Sequence, residues 1–385
     1  MPIAATLRQL TVIAVILLAA APGCEKSAGS GGGKRGKKEA KANAVAASRD
    51  AALPLSVDTL RPSVITDTLP GDSDDPAIWV NADDAGESLV LGTDKGDSTG
   101  GVYAFDLAGH VDRRRSVTPL KRMNNVDIEY GFRAGKARID IAVATERNRM
   151  SIRVFSLPDM KPIDQGGIAV FAGDSSRAPM GIALYKRPRD GKVFAIVGGK
   201  SGPNSGYLAQ YELSYAKGRV TGTLVREFGA YSGNKEIEAI VVDDALGFVY
   251  YSDEGVGVRK HHADPDSGSA ELALFATSGV ADDHEGLAIY QRDAATGYIL
   301  LSDQGANRIQ VFPREGAAGN PNSHPVLAVI PVMARQTDGL DVTSRPLGAA
   351  FPKGMLAMMS NRGAFHFYRW EGVQAAIDRV AGQAR

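Results

Sequence analysis

The sequence predicts an all-β fold, a six-bladed β-propeller, because six similar segments recur along most of its 385 residues. Each segment is a short apolar run that ends in small and polar residues, which is typical of a strand followed by a tight turn. They are LVLGTDK (89–95), IAVATER (141–147), FAIVGGK (194–200), VYYSDE (249–254), ILLSDQ (299–304) and LAMMSNR (356–362). A further apolar run follows each one: VYAF (102–105), IRVF (152–155), LAQYEL (208–213), VRKH (258–261), RIQVF (308–312) and FHFY (365–368). A period of about 50 residues repeated six times is typical of a propeller, in which each repeat supplies one four-stranded blade.

A second set of segments begins each repeat. These segments are DDPAIW (74–79), NNVDI (124–128), PMGIAL (179–184), EIEAIV (236–241), HEGLAI (284–289) and TDGLDV (337–342). Each starts with polar or small residues and continues as an apolar strand. A large β-sandwich also contains short strands, but it does not account for six repeats of matched content. We therefore assign residues 59–385 to the propeller and expect a short C-terminal helix from Gly372 onward.

The composition narrows the range of functions. The chain has 44 Lys and Arg residues against 44 Asp and Glu residues, so its formal net charge is zero. Proteins that bind the phosphate backbone of nucleic acids usually have a basic excess, so nucleic acid is not an expected partner. Cys24 is the single cysteine, which excludes an internal disulfide and a cysteine-based zinc site. The sequence contains no H-E-x-x-H zinc motif.

The N-terminal residues predict export. Residues 1–23 combine Arg8, an apolar run at 10–21 and small residues, as a secretory signal peptide does. The small residues directly before Cys24 resemble a bacterial lipobox, which implies cleavage there, lipidation of Cys24 and a cell-envelope lipoprotein anchored to the membrane. In a Gram-negative host, the Glu after this cysteine favours the outer membrane. Plain secretion with an incidental cysteine is the alternative. Residues 24–58 are rich in Gly, Ser, Ala and Lys and predict a disordered basic tether.

The repeats also predict a site, because corresponding residues of the blades surround one channel at the same height. The heads of the leading segments are Asp75, Asp127, Met180, Glu238, Glu285 and Asp338, and five of these six are carboxylates. The other set ends in Lys95, Arg147, Lys200, Glu254, Gln304 and Arg362. An acidic arc of the mouth would then face a basic arc. Crowded carboxylates favour a divalent cation, and ligands that are all oxygen suit Ca²⁺, whereas the opposing cations suit a phosphate. Turn chemistry is the alternative for any single acid, since Asp is common where strands end.

At these residues the chain resembles the β-propeller phytases. The matching segments are DDPAIW (74–79), NNVD (124–127), EAIVVDD (238–244), DHEGL (283–287), DQG (303–305) and QTDGLD (336–341). The resemblance implies a calcium-dependent hydrolase of phosphate monoesters, with phytate (myo-inositol hexakisphosphate) as the expected substrate. In that family, bound calcium ions bridge the phosphate and activate a water that attacks phosphorus. We expect a monomer that binds a phosphorylated small molecule and several Ca²⁺ ions.

The resemblance also implies roles for individual residues. The calcium ligands that it implies are Asp74, Asp75, Glu238, Glu254, Asp283, Glu285, Gln304 and Asp338. The substrate contacts that it implies are Lys95, Arg147, Lys200, Asn125 and Asp127, of which the three cations hold phosphate. Glu238 would also protonate the leaving alcohol. The expected catalytic set is therefore Glu238, Lys95, Arg147 and Lys200.

Two positions depart from the family pattern. Glu129 stands where the family has Arg after N-N-V-D-I, and Met180 stands where a phosphate-contacting Tyr is expected. The loss of a cation and a hydroxyl predicts weaker binding of a highly anionic substrate and a preference for less charged phosphate esters. One alternative function is a non-catalytic, calcium-stabilised propeller that binds a ligand or an envelope protein. Another is a metal-dependent lactonase, against which the three cations count.

Overall fold

The structure, a computed structural model, describes residues 53–56 and 58–383. The described strands form six antiparallel sheets arranged as the blades of a propeller, which confirms the predicted fold class. Every strand expected from the repeats is present, with ends that differ from the prediction by a few residues. The signal peptide assigned to 1–23, the lipidation site at Cys24 and nearly all of the tether assigned to 24–58 lie outside the described residues.

The strands follow the chain blade by blade, after a first strand β1 (Val64–Ile65). Blade one contains β2 (Ser73–Trp79), β3 (Leu89–Asp94), β4 (Gly101–Phe105) and β5 (Val111–Val117). Blade two contains β6 (Met123–Ala134), β7 (Ala137–Glu146), β8 (Ser151–Leu157), β9 (Lys161–Pro162) and β10 (Ile168–Ala169). Blade three contains β11 (Pro179–Lys186), β12 (Val193–Gly199), β13 (Ser205–Ala216) and β14 (Arg219–Ala230).

The second half of the propeller repeats the same order. Blade four contains β15 (Ile240–Asp243), β16 (Phe248–Asp253), β17 (Gly257–His262) and β18 (Glu271–Phe275). Blade five contains β19 (His284–Gln291), β20 (Gly297–Asp303), β21 (Arg308–Pro313) and β22 (Ala328–Pro331). Blade six contains β23 (Leu340–Thr343), β24 (Met355–Ser360), β25 (Ala364–Arg369) and the N-terminal β1. Short 3-10 turns lie at Ala85–Glu87, Arg147–Arg149, Pro265–Ser267 and Gln304–Ala306, and helix α1 at Trp370–Gln383.

The first strand of each blade lines a central channel. Strands β2, β6, β11, β15, β19 and β23 contact one another in that order, and β23 contacts β2 again, so that they form a closed ring. Carboxylates join these strands: Ile78 N donates to Oδ2 of Asp341 (2.7 Å), and Leu184 N donates to Oδ2 of Asp127 (2.6 Å). Because the blades repeat one strand order, the starts of these strands form one mouth of the channel and their ends form the other.

The core of the described chain consists of six apolar clusters, one between each pair of neighbouring blades. Both faces of the middle strands are therefore buried. In β3, Leu89 and Leu91 face blade two, whereas Val90 faces blade six. This double burial explains why the second strand of each repeat has a nearly continuous apolar sequence instead of an alternating one.

N-terminal residues close the ring and cover an edge. Strand β1 pairs antiparallel with β25 and supplies the outer strand of blade six. Before it, the chain runs along the outer edge of blade five, where Leu55 forms a parallel bridge with Val329. Ser56 N donates to the Val329 carbonyl (2.8 Å), and Leu60 N donates to the Pro331 carbonyl (2.8 Å). The predicted tether boundary at residue 58 is therefore corrected, because these earlier residues are paired with the propeller.

Helix α1 agrees with the predicted C-terminal helix and begins slightly earlier. It buries one face, formed by Trp370, Val373, Ala376, Ile377 and Val380, in the cluster between blades five and six. The Trp370 ring stacks on Tyr290, with the ring centroids 3.5 Å apart. Among the described residues, no helix has both the length and the apolar content needed to cross a membrane.

Candidate active site

Most of the predicted site residues lie at the end of the channel where the innermost strands begin. Each of these strands is antiparallel to the second strand of its blade, so the start of one lies beside the end of the other. For example, Ser73 is opposite Asp94, and His284 is opposite Asp303. We call this end the site mouth; it contains Asp74, Asp75, Lys95, Arg147, Lys200, Glu238, Glu254, Asp283, Glu285, Gln304 and Asp338.

Lys95 lies between two of the predicted metal ligands. Its Nζ is 3.1 Å from Oδ1 of Asp74 and 2.6 Å from Oδ2 of Asp338. Asn124 Nδ2 donates to the other oxygen of Asp74 (2.9 Å), and Gln304 Nε2 donates to Oδ1 of Asp338 (2.5 Å). Burial lowers the pKa of Lys95, but the two carboxylates outweigh burial and raise it above its ordinary value. Lys95, a cation of blade one, is therefore paired with two carboxylates of the mouth.

Glu254, Asp283 and Glu285, which we call the carboxylate cluster, are the part of the mouth best suited to a metal ion. One oxygen atom of each lies within 4.8 Å of the others. Burial raises the pKa of Glu254 to about 8, and the charge of Asp283 adds to the rise. Burial also raises the pKa of Glu285 well above its ordinary value, and its Oε2 is buried without a hydrogen-bond partner. Closely spaced, desolvated oxygen donors of this kind fit a hard divalent cation such as Ca²⁺.

Glu238 and Asp75 lie where glycine residues allow neighbouring backbones to approach closely. A Cβ atom at Gly181 would lie 2.0 Å from the Glu238 carbonyl oxygen, and one at Gly339 would lie 2.2 Å from Oδ1 of Asp75. Burial raises the pKa of Glu238 well above its ordinary value, and the charges of three neighbouring carboxylates raise it further. Burial likewise raises the pKa of Asp75, although a backbone N–H donates to its carboxylate. A cation beside these groups would lower both pKa values.

Arg147 and Lys200 complete the predicted phosphate-holding set. Arg147 begins the 3-10 turn that follows β7, and burial together with the positive charge of Arg122 lowers its pKa. Lys200 directly follows β12, and its ammonium group forms an ion pair with Glu236. Arg122 and Arg147 are thus two neighbouring guanidinium groups of like charge. An anion placed near them would relieve that repulsion.

Some charged residues of the mouth were missed from the sequence. Lys235 forms an ion pair with Asp283 and lies 3.5 Å from Oδ1 of Asp282. Glu236 pairs with Lys200 as described above. All of these residues except Lys200 belong to loops that lead into the innermost strands, whereas the repeats were matched on the strands. The available signal was the dense charge of those loops, as in NKEIE and ADDHE.

Comparison with known proteins identifies the family. The family model described as Phytase matches residues 35–363 of this chain. The chain belongs to the phytase family. It is 30% identical over 293 residues to the 3-phytase of Bacillus subtilis (strain 168), and the match covers 74% of this chain and 73% of that protein. A solved structure of a protein of unknown function from Bacteroides thetaiotaomicron VPI-5482 is similar with a TM-score of 0.48 and 14% identity, covering 80% of this chain and 75% of that one. Membership of the phytase family supports a phosphatase-type hydrolase.

One residue that the phytase resemblance assigns to substrate lies outside the site mouth. Asp127 lines the channel below the mouth, and its two oxygens accept hydrogen bonds from Ile128 N (2.7 Å) and Leu184 N (2.6 Å). Its carboxylate joins two innermost strands, and its assignment as a substrate contact stays a prediction. Asn125 lies two residues nearer the start of β6, on the side of the site mouth. Its Oδ1 is buried without a hydrogen-bond partner. That oxygen is available to a ligand.

The two departures from the phytase pattern, Glu129 and Met180, differ in their position in the channel. Glu129 lines the opposite mouth, in a cavity of about 360 Å³ that also contains Asp244 and Arg345. Glu in place of Arg therefore removes no cation from the site mouth, and the predicted effect of Glu129 on substrate binding is corrected. The Met180 side chain is fully buried, so it presents no polar group to a phosphate. Weaker binding through the missing hydroxyl at Met180 stays a prediction.

Proposed function

We propose that this phytase-family protein is a calcium-dependent phosphomonoester hydrolase whose substrate is phytate or a less phosphorylated relative. The observation that carries the proposal is a cation that lies among the carboxylates of one mouth. Lys95 lies 3.1 Å from Asp74 and 2.6 Å from Asp338, on the same mouth as the carboxylate cluster. A site that binds only a metal ion needs no ammonium group among its carboxylates. A site that binds a phosphate uses both a metal ion and cationic side chains. The similarity to a 3-phytase supports the substrate class.

The residues proposed to hold calcium have oxygen donors, which Ca²⁺ prefers. They are Asp74, Asp75, Glu238, Glu254, Asp283, Glu285, Gln304 and Asp338. The raised pKa values of Glu254 and Glu285 and the unpartnered Oε2 of Glu285 support this fit, because a positive ion would relieve each of them. When bound, calcium supplies charge neutralisation at the phosphate and a water with a lowered pKa.

The side chains of the mouth have separate tasks in the proposed reaction. Lys95, Arg147 and Lys200 hold the phosphate oxygens and neutralise the charge that grows on them. A water oxygen forms a bond to phosphorus while the bond between phosphorus and the ester oxygen breaks. Glu238 gives a proton to that ester oxygen, which leaves as an alcohol, and takes a proton back from the attacking water, whose oxygen stays on the phosphate. Positioning and charge neutralisation thus supply most of the proposed catalysis.

Phosphate release by the full chain tests this proposal. Phytate and a simple phosphate monoester are each supplied with Ca²⁺ and with a chelator. We expect release only with Ca²⁺, and we expect Glu238→Gln to lower kcat by about 100-fold or more, the contribution typical of a general acid. Glu129→Gln is the matched control, because it changes a buried carboxyl at the opposite mouth. No release from either ester by a folded, calcium-loaded protein would instead indicate the non-catalytic binding propeller.

We further propose that the protein is exported and anchored to the cell envelope through Cys24. The signal-like pattern of residues 1–23 and the lipobox-like residues before Cys24 support this proposal. Cys24→Ser should abolish the incorporation of labelled fatty acid and move the hydrolase from the membrane fraction to the soluble fraction. Lipid incorporation that persists at the wild-type level in this variant would exclude Cys24 as the anchor.

A further inference from the structure

In each of four blades, a buried carboxylate directly precedes a residue of the site mouth. Each is the last residue of the second strand in its blade, and none is more than 1% exposed. We call these residues the strand-end carboxylates; they are Asp94, Glu146, Asp253 and Asp303. The residues that follow them are Lys95, Arg147, Glu254 and Gln304. None of the four is among the proposed calcium ligands or phosphate contacts, so their repetition requires another explanation.

Each strand-end carboxylate accepts a hydrogen bond from the loop that leads into the first strand of its own blade. The backbone donors are Asp72 N to Asp94 (3.1 Å), Lys121 N to Glu146 (2.9 Å), Ser232 N to Asp253 (3.0 Å) and Ala281 N to Asp303 (3.0 Å). The same loops bring ligands such as Asp74, Glu238 and Asp283 to the mouth. One buried side chain therefore joins two segments of the site, the turn after the second strand and the loop before the first.

Blade five shows this arrangement most completely. Arg308 Nε donates to Oδ2 of Asp303 (2.7 Å), and Arg308 Nη2 donates to the Gly279 carbonyl (2.9 Å). Gln310 Nε2 donates to the same Gly279 carbonyl (2.7 Å). The loop is thus held at two successive points before it reaches Asp283, once at its carbonyl and once at the backbone N–H that Asp303 accepts. These hydrogen bonds therefore fix the path of the loop into the carboxylate cluster.

We propose that the strand-end carboxylates are positioning residues that set the calcium affinity of the site mouth, and that Asp303 does so for the carboxylate cluster. This inference rests on the proposed function. Asp303 precedes Gln304 in the chain and holds the loop that ends at Asp283, and Gln304 N also donates to the Asp283 carbonyl (3.4 Å). Both ligands are therefore held at a fixed separation before a metal ion arrives. Ligands that are already ordered lose less entropy on binding, so the affinity is higher.

A buried ion pair can also serve the fold alone, and this chain contains such a pair for comparison. Arg314 donates to both oxygens of Asp243, at 2.6 and 2.7 Å, and both side chains are fully buried. Asp243 is the last residue of an innermost strand, so it lies towards the opposite mouth. Loss of its charge should destabilise the protein as loss of the Asp303 charge does, because either change removes a buried carboxylate that pairs with a buried arginine. Loss of the Asp243 charge should leave the calcium ligands in place.

Calorimetric titration of the full chain with Ca²⁺, without substrate, tests the proposal. Wild type is compared with Asp303→Asn and Asp243→Asn, and the unfolding temperature of each is measured in chelator. We expect both variants to unfold at lower temperature, and only Asp303→Asn to bind calcium more weakly, by about tenfold or more, as is typical when the support of a metal ligand is lost. Gln310→Met removes one donor to the Gly279 carbonyl and should weaken calcium binding to a smaller extent.

Each outcome of this comparison decides the inference. If Asp303→Asn and Asp243→Asn lose similar thermal stability and both keep wild-type calcium affinity, Asp303 serves the fold alone and the inference is overturned, while the proposed function stands. If Asp303→Asn does not fold, unchanged calcium affinity in Gln310→Met overturns the inference in the same way. A wild-type protein that binds no calcium would overturn the inference together with the calcium dependence of the proposed function.

Discussion

Glu129 allows the electrostatics of the propeller to be tested separately from the site mouth. Its side chain is 7% exposed and lines the opposite mouth. Burial and the charge of Asp244 raise its pKa from 4.5 to about 9, although Lys186 and a backbone hydrogen bond oppose the rise. Between these two pKa values the folded state binds more protons than the unfolded state. The free energy of unfolding therefore falls as the pH rises through this range.

The size of this effect follows from the pKa shift. Each pH unit within the range lowers the free energy of unfolding by about 1.4 kcal/mol, which amounts to about 3 kcal/mol by pH 7. Glu129→Gln keeps the size of the side chain but cannot ionise. We expect this variant to match the wild type near pH 4, where the carboxyl is largely protonated in both states. It should become more stable than the wild type by about 3 kcal/mol at pH 7.

Chemical denaturation of wild type and Glu129→Gln at a series of pH values measures this difference. Saturating calcium keeps the site mouth in one state, so that the two proteins differ only at Glu129. Glu87→Gln changes an exposed carboxylate and should follow the wild type at every pH. Phosphate release by Glu129→Gln should stay at the wild-type level, since the residue lies at the other end of the channel. The same dependence of unfolding free energy on pH in wild type and Glu129→Gln would refute the reasoning.

Three further changes should give separate signals. Lys235→Met removes the positive charge that pairs with Asp283, so calcium affinity measured by calorimetry should rise about fivefold. An unchanged affinity would mean that the ammonium group does not compete with calcium. Burial lowers the pKa of Lys260 from 10.5 to about 8, so wild-type stability should rise with pH across that range, and denaturation of Lys260→Met should show no such rise. A chain that begins at Arg61 should unfold at a lower temperature than the full chain, because Leu60 and the residues before it cover the edge of β22. Equal unfolding temperatures would mean that this segment does not contribute to the stability of the propeller.

The sequence located three strands of every blade because burial on both faces leaves long apolar runs. The outer strands have a weaker signal: β5 (Val111–Val117) has the sequence VDRRRSV and is only partly buried. The outer strand of blade six could not be found from the repeats at all. Its partner lies at the other end of the chain, with Val64 opposite Phe367, and no local pattern encodes a pairing over that distance.

The repeats also predicted which residues meet at the site mouth, because an antiparallel hairpin places the start of one strand beside the end of the next. They could not predict the partner of each charge. Lys95 belongs to blade one, yet its long side chain reaches Asp338 at the start of blade six. Distance along a strand was a second source of error. Glu129 follows Asn125 closely in sequence, but a strand advances about 3.3 Å per residue, so the two side chains lie at different depths of the channel.

The strand-end carboxylates also explain a difference among the three cations that are proposed to hold phosphate. Lys95 and Arg147 directly follow Asp94 and Glu146, and their side chains are largely buried, whereas Lys200 follows a glycine and is 46% exposed. A buried carboxylate tied to two segments fixes the turn that follows it, and a glycine at the same position provides no such tie. Lys95 and Arg147 are therefore ordered before a phosphate arrives. Lys200 is more exposed, so it loses more side-chain freedom on binding, and that entropy reduces its contribution to affinity.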